Sequence, residues 1–161
     1  MKILEKMEYL GKEFNLTYRD CDDFSKLDYT KCKQCYGVCF YNGKLLIGFG
    51  GRKQGWGLVG GTVEKDEPLE KTLARELQEE TNTEVIKYWP IGYQVTEGET
   101  NLQLRYACLV KPYGPFVSDP DGGITAIKFI DPKDYKQYFN WGKIGDRLIS
   151  RAQEIIKSKE Q

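Results

Sequence analysis

The stretch from residue 61 to residue 83 constrains this chain more than any other, because it joins a glycine turn, a helix start and a cluster of carboxylates. Pro68 suits the first position of a helix, where its missing N–H would have no partner in any case, and Asp66 or Glu67 can cap the helix. We therefore predict a helix that begins near Pro68 and runs to about Glu80.

The acidic residues of this predicted helix lie in an unusual place. At about 100° per residue, two leucines and two glutamates fall along one narrow stripe: Leu69, Leu73, Glu76 and Glu80. The apolar face thus continues as a row of carboxylates, whereas a solvated charged face would lie opposite the leucines. Crowded, half-buried carboxylates repel one another unless a cation lies among them, and oxygen ligands of this kind suit Mg²⁺ or Mn²⁺. The alternative is a surface helix that is rich in Glu because Glu favours helices.

The same stretch resembles the Nudix box, the signature of the Nudix hydrolase family. That pattern reads Gly, five residues, Glu, seven residues, Arg-Glu, an aliphatic residue, any residue, Glu-Glu, any residue, Gly and an aliphatic residue. The positions that match at the required spacing are Gly61, Glu67, Arg75, Glu76, Leu77, Glu79 and Glu80. Asn82 replaces the usual Gly, a mild change because Asn is the next best residue for the left-handed conformation that ends a helix. Thr83 replaces an aliphatic residue.

The resemblance implies an enzyme that uses Mg²⁺ or Mn²⁺ to hydrolyse a pyrophosphate bond in a nucleoside di- or triphosphate or a nucleotide-linked metabolite. It implies metal ligands from the helix and the glycine turn: Glu76, Glu79, Glu80, and a carbonyl of Gly60 or Gly61. It also implies catalytic roles for Glu76, Glu79 and Arg75. Arg75 lies one turn before Glu79, so it can orient that carboxylate rather than touch substrate. Glu67 is expected to support the turn.

A competing interpretation is a non-catalytic Nudix-like domain that binds a nucleotide or a sugar nucleotide as a sensor. Such a domain would be expected to lose carboxylates of the box, whereas this chain keeps all of them. The box therefore favours the enzyme over the sensor.

The general base must be a carboxylate, because the chain contains no histidine. Glu76 or Glu79 can serve within the box. Many relatives instead use a glutamate from a later loop, and the loop candidates in this chain are Glu97, Glu99, Asp119 and Asp121. The alternative for each of these four is a solvated loop carboxylate.

A basic loop and a tryptophan precede the box, and they supply the candidate substrate-binding residues. Arg52 and Lys53 fall where the family often has basic residues near the substrate phosphates, and the alternative for both is a solvated loop. Trp56 could stack on a base, although an aromatic residue in a strand usually belongs to the core.

The rest of the chain predicts an α+β domain, and by resemblance a Nudix-type α/β/α sandwich with a mixed sheet between helices. Asn42-Gly43 indicates a hairpin turn. Further strands are expected at residues 85–95, 102–110 and 124–130, followed by a short helical segment near 132–138 and an amphipathic helix at 143–157.

An additional N-terminal helix is predicted over residues 1 to about 15. The apolar residues at helical spacing are Ile3, Leu4, Met7, Leu10 and Phe14. Residues 1–33 would then form an N-terminal helix and a polar connector, and residues 34–161 the Nudix hydrolase domain. We expect the helix to pack on the core, with a homodimer contact as the alternative.

Four of the five cysteines lie close together in the sequence: Cys21, Cys32, Cys35 and Cys39. Four thiolates can bind one zinc ion, but a zinc ribbon normally shows two C-x-x-C pairs and only Cys32-x-x-Cys35 is present. Cys35 and Cys39 share one face of a predicted strand, which favours small core residues instead.

Composition limits the partners. The chain has 24 basic and 24 acidic residues, so it lacks the basic surplus that long nucleic acid usually requires. It also shows no apolar run typical of a signal peptide or a membrane span. We therefore expect a cytoplasmic protein whose partner is a nucleotide or a nucleotide-linked small molecule.

Overall fold

The computed structural model describes residues 1–51, 54–118 and 123–161. Within these residues the chain forms a nine-stranded sheet and two α-helices. In chain order the strands are β1 Lys2–Tyr9, β2 Lys12–Asp20, β3 Cys32–Tyr41, β4 Lys44–Gly50, β5 Gly55–Gly57, β6 Val59–Thr62, β7 Thr83–Thr96, β8 Leu102–Pro112 and β9 Ile124–Ile130. The α-helices are α1 Leu69–Thr81 and α2 Gly142–Lys159, and short 3₁₀ turns occupy Phe24–Lys26, Tyr29–Lys31 and Pro132–Gln137.

The sheet is mixed, and it divides at β3. Its strand order is β1-β2-β7-β8-β3-β4-β5, with β6 paired to β3 and β9 paired to β4. The β3–β8 pair is parallel, while the other strand pairs are antiparallel. On its other edge, β3 pairs first with β6 and then, near the turn, with β4. This division places β6 beside α1, so that Gly61 of β6 lies against Glu76 of the helix.

The core consists of two apolar clusters, because alternate residues of each strand face opposite sides of the sheet. Val38 of β3 belongs to the cluster that contains Leu148 of α2. Cys35 and Cys39 belong to the other cluster, together with Leu73 of α1. The sheet therefore lies between the two helices, and α1 is anchored by its leucines.

The cysteines behave as core and loop residues rather than as a zinc site. All five are free thiols. Cys21, Cys32 and Cys35 donate weak hydrogen bonds to three different backbone carbonyls. In the described part of the chain, no group of three or more Cys, His, Asp or Glu side chains is arranged to hold a metal ion. The structure therefore gives the zinc alternative no support.

The predicted N-terminal helix is wrong, because the first twenty residues form the hairpin β1–β2. Ile3 and Met7 pack against the core, as a helix would also require, but Leu4 is 67% exposed on the opposite face of β1. The turn has positive φ at both Leu10 (51°) and Gly11 (79°), the backbone that a two-residue hairpin prefers. Ile3 and Met7 are four residues apart, a separation that fits both the helical period of about 3.6 residues and the strand period of 2. The Leu10-Gly11 turn is therefore the feature that distinguishes strands from a helix here.

The start of α1 also differs from the prediction. Pro68 is the N-cap rather than the first helical residue, and no side chain caps the helix. Glu67 instead accepts hydrogen bonds from the Glu64 N–H and from the hydroxyl of Thr72. At the other end, Asn82 adopts the left-handed conformation (φ 53°, ψ 43°) and its amide donates to the Pro115 carbonyl.

Within the part of the chain that the structure describes, no helix combines the length and apolar character needed to cross a membrane.

Candidate active site

Arg75 joins the carboxylates of the box to the loop before the helix. Its Nε and Nη2 donate to the two oxygens of Glu67 at 2.8 and 3.1 Å, and Nη2 also donates to the Thr62 carbonyl at 3.0 Å. Its Nη1 donates to Glu76 at 3.0 Å and to Glu79 at 3.2 Å. Hydrogen bonds from Arg75 hold the pKa of Glu67 at about 2. A single guanidinium thus fixes the glycine turn, the helix and two acidic side chains in one arrangement.

Glu76 lies directly against the glycine turn. A Cβ atom added to Gly61 would lie 2.2 Å from the carboxyl carbon of Glu76 and 2.4 Å from both of its oxygens. Glycine is therefore required at position 61 if the carboxylate is to reach the backbone of β6. Gly60 is also in a position with no room for a side chain. An added Cβ would lie 2.8 Å from the ring of Tyr36 and 2.2 Å from the Cys35 carbonyl oxygen.

The three glutamates are exposed to different degrees. Glu76 is buried, Glu80 is intermediate and Glu79 is exposed. Burial raises the pKa of Glu76; Arg75 opposes this rise, and the charges of Glu79 and Glu80 add to it. The helix end therefore gathers negative charge at a position with limited access to water.

The donor set at this helix end suits a hard divalent cation. It consists of carboxylate oxygens beside a glycine backbone, and a cation would relieve the repulsion that raises the pKa of Glu76. In the present arrangement Arg75 joins Glu76 to Glu79, and the described carboxylates do not converge on one point. Glu79 would have to turn away from Arg75 to join the other two carboxylates. Its 48% side-chain exposure leaves room for that movement.

A cavity of about 320 Å³ lies on the other side of the glycine turn. Its lining includes Tyr36 of β3, Trp56 of β5 and Met7 of the N-terminal hairpin. Tyr36 connects this cavity to the acidic helix end, because Tyr36 is paired with Gly60 and its neighbour Cys35 is paired with Gly61. Burial raises the pKa of the Tyr36 hydroxyl, and the charges of Glu76 and Glu80 add to this rise.

The predicted substrate-binding residues are only partly placed. Trp56 lines the cavity and makes edge contacts with the rings of Phe49 at 5.4 Å and Tyr138 at 5.8 Å, so it is both a wall and a core residue. Arg52 and Lys53 lie outside the described residues.

The loop carboxylates proposed as alternative bases do not join the box glutamates where they are described. Glu97 binds the side chain of Asn15, and both Glu97 and Glu99 line a second cavity against the N-terminal hairpin. Asp119 and Asp121 lie outside the described residues.

The sequence interpretation missed the polar side chains of the cavity beside Tyr36. Gln94, Gln103 and Arg105 line it, and Arg105 is only 4% exposed. The available signal was the alternation in β8, since Arg105 has the same parity as the buried Ala107. A charged residue within the buried run of this strand indicates a special role, although it does not show which site the residue belongs to.

The fold and the box define a Nudix protein, and comparison with protein families agrees: the family model of the NUDIX domain matches residues 34–151. The chain belongs to the Nudix hydrolase family. The family and the α+β fold predicted from the sequence are therefore confirmed.

Solved structures of three Nudix proteins illustrate the likeness. A variant of the Bacillus subtilis pyrophosphohydrolase BsRppH is 16% identical, with a TM-score of 0.69 over 96% of this chain and 97% of the other. A MutT NUDIX hydrolase from Burkholderia pseudomallei is 16% identical, with a TM-score of 0.56 over 73% and 95%. The NUDIX domain of Shewanella oneidensis NrtR, complexed with ADP-ribose, is 19% identical, with a TM-score of 0.53 over 83% and 96%. At these identities the likeness shows the fold alone, and a search of curated proteins finds no match.

Proposed function

We propose that this protein is a divalent-metal-dependent pyrophosphohydrolase that acts in the cytoplasm on a nucleoside di- or triphosphate or a nucleotide-linked metabolite. The observation that carries the proposal is the position of Tyr36, which lines a cavity of about 320 Å³ and pairs with Gly60, next to the glycine that contacts Glu76 of α1. One structural relative is a pyrophosphohydrolase and another was solved with ADP-ribose, which supports this substrate class. Five free cysteines fit a reducing compartment.

Glu76, Glu79 and Glu80 are the side chains that would hold Mg²⁺ or Mn²⁺, with a carbonyl of Gly60 or Gly61 as a further oxygen ligand. The ion would reduce the repulsion between the attacking water and the anionic phosphates and would lower the pKa of bound water.

Arg75 is a positioning residue in this proposal. Its contacts to Glu67 and to the Thr62 carbonyl do not depend on Glu79, so the guanidinium stays anchored when Glu79 turns away. A carboxylate accepts the proton of the water that attacks phosphorus, because the chain has no histidine to do so. Within the box this carboxylate is Glu76 or Glu79, and Asp119 and Asp121 are the loop alternatives that lie outside the described residues. The bond between phosphorus and the bridging oxygen then breaks, and a phosphate or nucleotide leaves.

The proposal is tested with a panel of nucleoside triphosphates, sugar nucleotides and dinucleoside polyphosphates, incubated with Mg²⁺ or Mn²⁺ while phosphate release is followed. We expect turnover of at least one compound, and we expect Glu80→Gln or chelation to abolish it. Glu70→Gln, an exposed change in the first turn of the same helix, is the matched control. Turnover that survives both Glu80→Gln and chelation would overturn the metal mechanism.

The identity of the base is tested by comparing Glu76→Gln with Glu79→Gln. Each variant is titrated with Mn²⁺ by calorimetry and assayed for turnover. The variant that keeps metal binding but loses turnover has lost the base. Nucleotide binding without turnover across the whole panel would replace the hydrolase with the sensor.

A further inference from the structure

Arg105 is a buried cation for which the described residues supply no counterion. It is 4% exposed, and its Nη1 and Nη2 donate at 3.3 Å to the Leu104 carbonyl and the Gln103 side chain, while Nε has no hydrogen-bond partner. The groups that act on its charge are Tyr36, Tyr18 and Cys35. Each of the three has a raised pKa because of burial and is therefore neutral at pH 7. A leucine could fill this position without the desolvation penalty, so packing does not explain the arginine.

The guanidinium is nevertheless held in a fixed orientation. Its Cζ lies 5.0 Å from the centre of the Tyr36 ring, a cation–π contact. The Gln103 Oε1 accepts from Arg105 at 3.3 Å and from Gln94 at 3.1 Å, so one oxygen aligns both neighbours. One amide N–H of Gln94 donates to Gln103, and the Oε1 of Gln94 can still accept a hydrogen bond. The three side chains together form a preorganised set of donors with an acceptor beside them.

The cavity around this set is suited to a flat ring. Its aromatic walls are Tyr9, Tyr36, Trp56 and Trp141, and its polar groups are mainly amides and glycine backbone. Glu8 is also part of the lining, so the described part of the cavity wall does not present the concentrated positive charge expected around several phosphates.

The donor pattern selects among the bases. A guanidinium edge pairs with two adjacent acceptors, and a 6-oxopurine offers such a pair in O6 and N7. Adenine offers the acceptor N7 beside an amino group. The N–H of this amino group would face an N–H of the guanidinium, and two donors cannot form a hydrogen bond. The Gln94 acceptor can receive an N–H from the same ring.

We propose that Arg105 is the base-selecting residue of this protein, and that the cavity takes a 6-oxopurine base such as guanine or hypoxanthine. The inference deepens the proposed function, since it assigns the nucleotide class to the same site. It does not require turnover, and its test is therefore a binding measurement without metal.

The test is calorimetric titration of the full chain with GMP, IMP and AMP in the presence of chelator. The wild type should bind GMP and IMP at least about tenfold more tightly than AMP, because one bidentate arginine contact typically discriminates by that much or more. Arg105→Met should reduce this preference to about twofold or less by weakening GMP and IMP binding, with AMP affinity unchanged. Arg105→Lys, which keeps the charge but replaces the fork with a single ammonium, should keep part of the preference for GMP and IMP, because lysine can also donate to O6 and N7.

Gln94→Leu is the second variant, and it carries the test if Arg105→Met does not fold by circular dichroism. This variant leaves the guanidinium in place and removes the Gln94 oxygen that would accept the N–H of the base. It should therefore also reduce the preference for GMP and IMP over AMP. Equal wild-type affinity for GMP and AMP would overturn the inference. Equal weakening of all three nucleotides by Arg105→Met would also overturn it, since the guanidinium would then be binding phosphate. A GMP preference without turnover of any triphosphate would leave the inference standing and remove the proposed hydrolase activity.

Discussion

The guanidinium of Arg75 donates two hydrogen bonds to the carboxylate of Glu67, from Nε at 2.8 Å and from Nη2 at 3.1 Å. The pair closes the turn between β6 and α1, and its second function is to place the remaining nitrogen of Arg75 between Glu76 and Glu79. A residue that touches neither substrate nor metal in our proposal therefore sets the position of two that do.

Glu67→Gln should lower kcat by about tenfold, the lower end of the range for losing a residue that orients a metal ligand. The amide has one oxygen instead of two, so the bidentate contact with Arg75 cannot form. KM should change less, because the cavity residues are untouched. Steady-state kinetics measure this split. Glu64→Gln is the matched control, since the carboxylate of Glu64 is 67% exposed and 3.7 Å from Arg75, and it should leave kcat unchanged.

Gly61→Ala should reduce kcat by about a hundredfold, the loss that a displacement of about 1 Å at a catalytic group can cause. Its methyl group would lie within 2.4 Å of the Glu76 carboxylate oxygens and would push that side chain out of place. Kinetics combined with a thermal melt separate this effect from unfolding. Gly114→Ala adds a methyl group into open space and is the control. Full activity in Gly61→Ala would mean that the contact between Glu76 and β6 is not needed.

Asn82→Ala should lower the free energy of unfolding by about 1 kcal/mol, because alanine pays the left-handed penalty that asparagine partly avoids. The substitution also removes the hydrogen bond from the Asn82 amide to the Pro115 carbonyl. Asn82→Gly should be closer to the wild type, since glycine adopts φ 53° without strain. Urea denaturation of the three proteins measures the differences. A loss in the glycine variant as large as that in the alanine variant would show that the side-chain bond, which both variants lack, outweighs the backbone conformation.

Asp20→Asn should lower the free energy of unfolding at pH 7 by about 2 kcal/mol, since it removes hydrogen bonds between charged groups. Asp20 of β2 accepts from Arg147 of α2 at 3.2 and 2.7 Å and lies 3.6 Å from Arg151. Burial alone would raise the pKa of Asp20, but hydrogen bonds from Arg147 and Tyr18, together with the charges of Arg147 and Arg151, outweigh it and lower that pKa below its ordinary value.

The same group predicts a pH dependence. Because its folded pKa lies below its unfolded value of about 4, the stabilisation is complete above pH 4 and is lost as the pH falls through the folded pKa. Melting temperatures of the wild type and Asp20→Asn should therefore differ at pH 7 and converge on acidification. Asp22→Asn, at an exposed position nearby, should follow the wild type at every pH. A constant gap between wild type and Asp20→Asn down to pH 2 would contradict the ion pair.

Local signals in the sequence were sufficient for much of the fold. The strand at Ile124–Ile130 and the two α-helices were predicted closely, because each carries a strong period and clear end signals. The N-terminal hairpin was not, since its apolar spacing fits two periods and its strand pairing with β7 is a long-range contact. The spacing of apolar residues within a segment does not predict which strand that segment will pair with.

The site divides in the same way. The glutamates of α1 could be predicted because their spacing within one helix fixes their relative positions. The Glu67–Arg75 pair depends on the turn between β6 and α1, which the spacing alone does not determine. Arg105 could not be assigned to the site, because its surroundings come from β3, β7 and the N-terminal hairpin. The Gln94–Gln103 contact likewise exists only once β7 and β8 have paired in their register.

The pairing of Tyr36 with Gly60 and of Cys35 with Gly61 has a further consequence. The span between the cavity and the carboxylates is set by hydrogen-bonded backbone rather than by a loop, so it is a fixed length. If the base of a nucleotide binds in the cavity, its phosphate chain would extend along this fixed span. The distance from base to phosphorus would then decide which phosphorus–oxygen bond reaches the acidic residues. The pairing of β3 with β6 would thereby select substrates by the distance between their base and the reacting phosphorus.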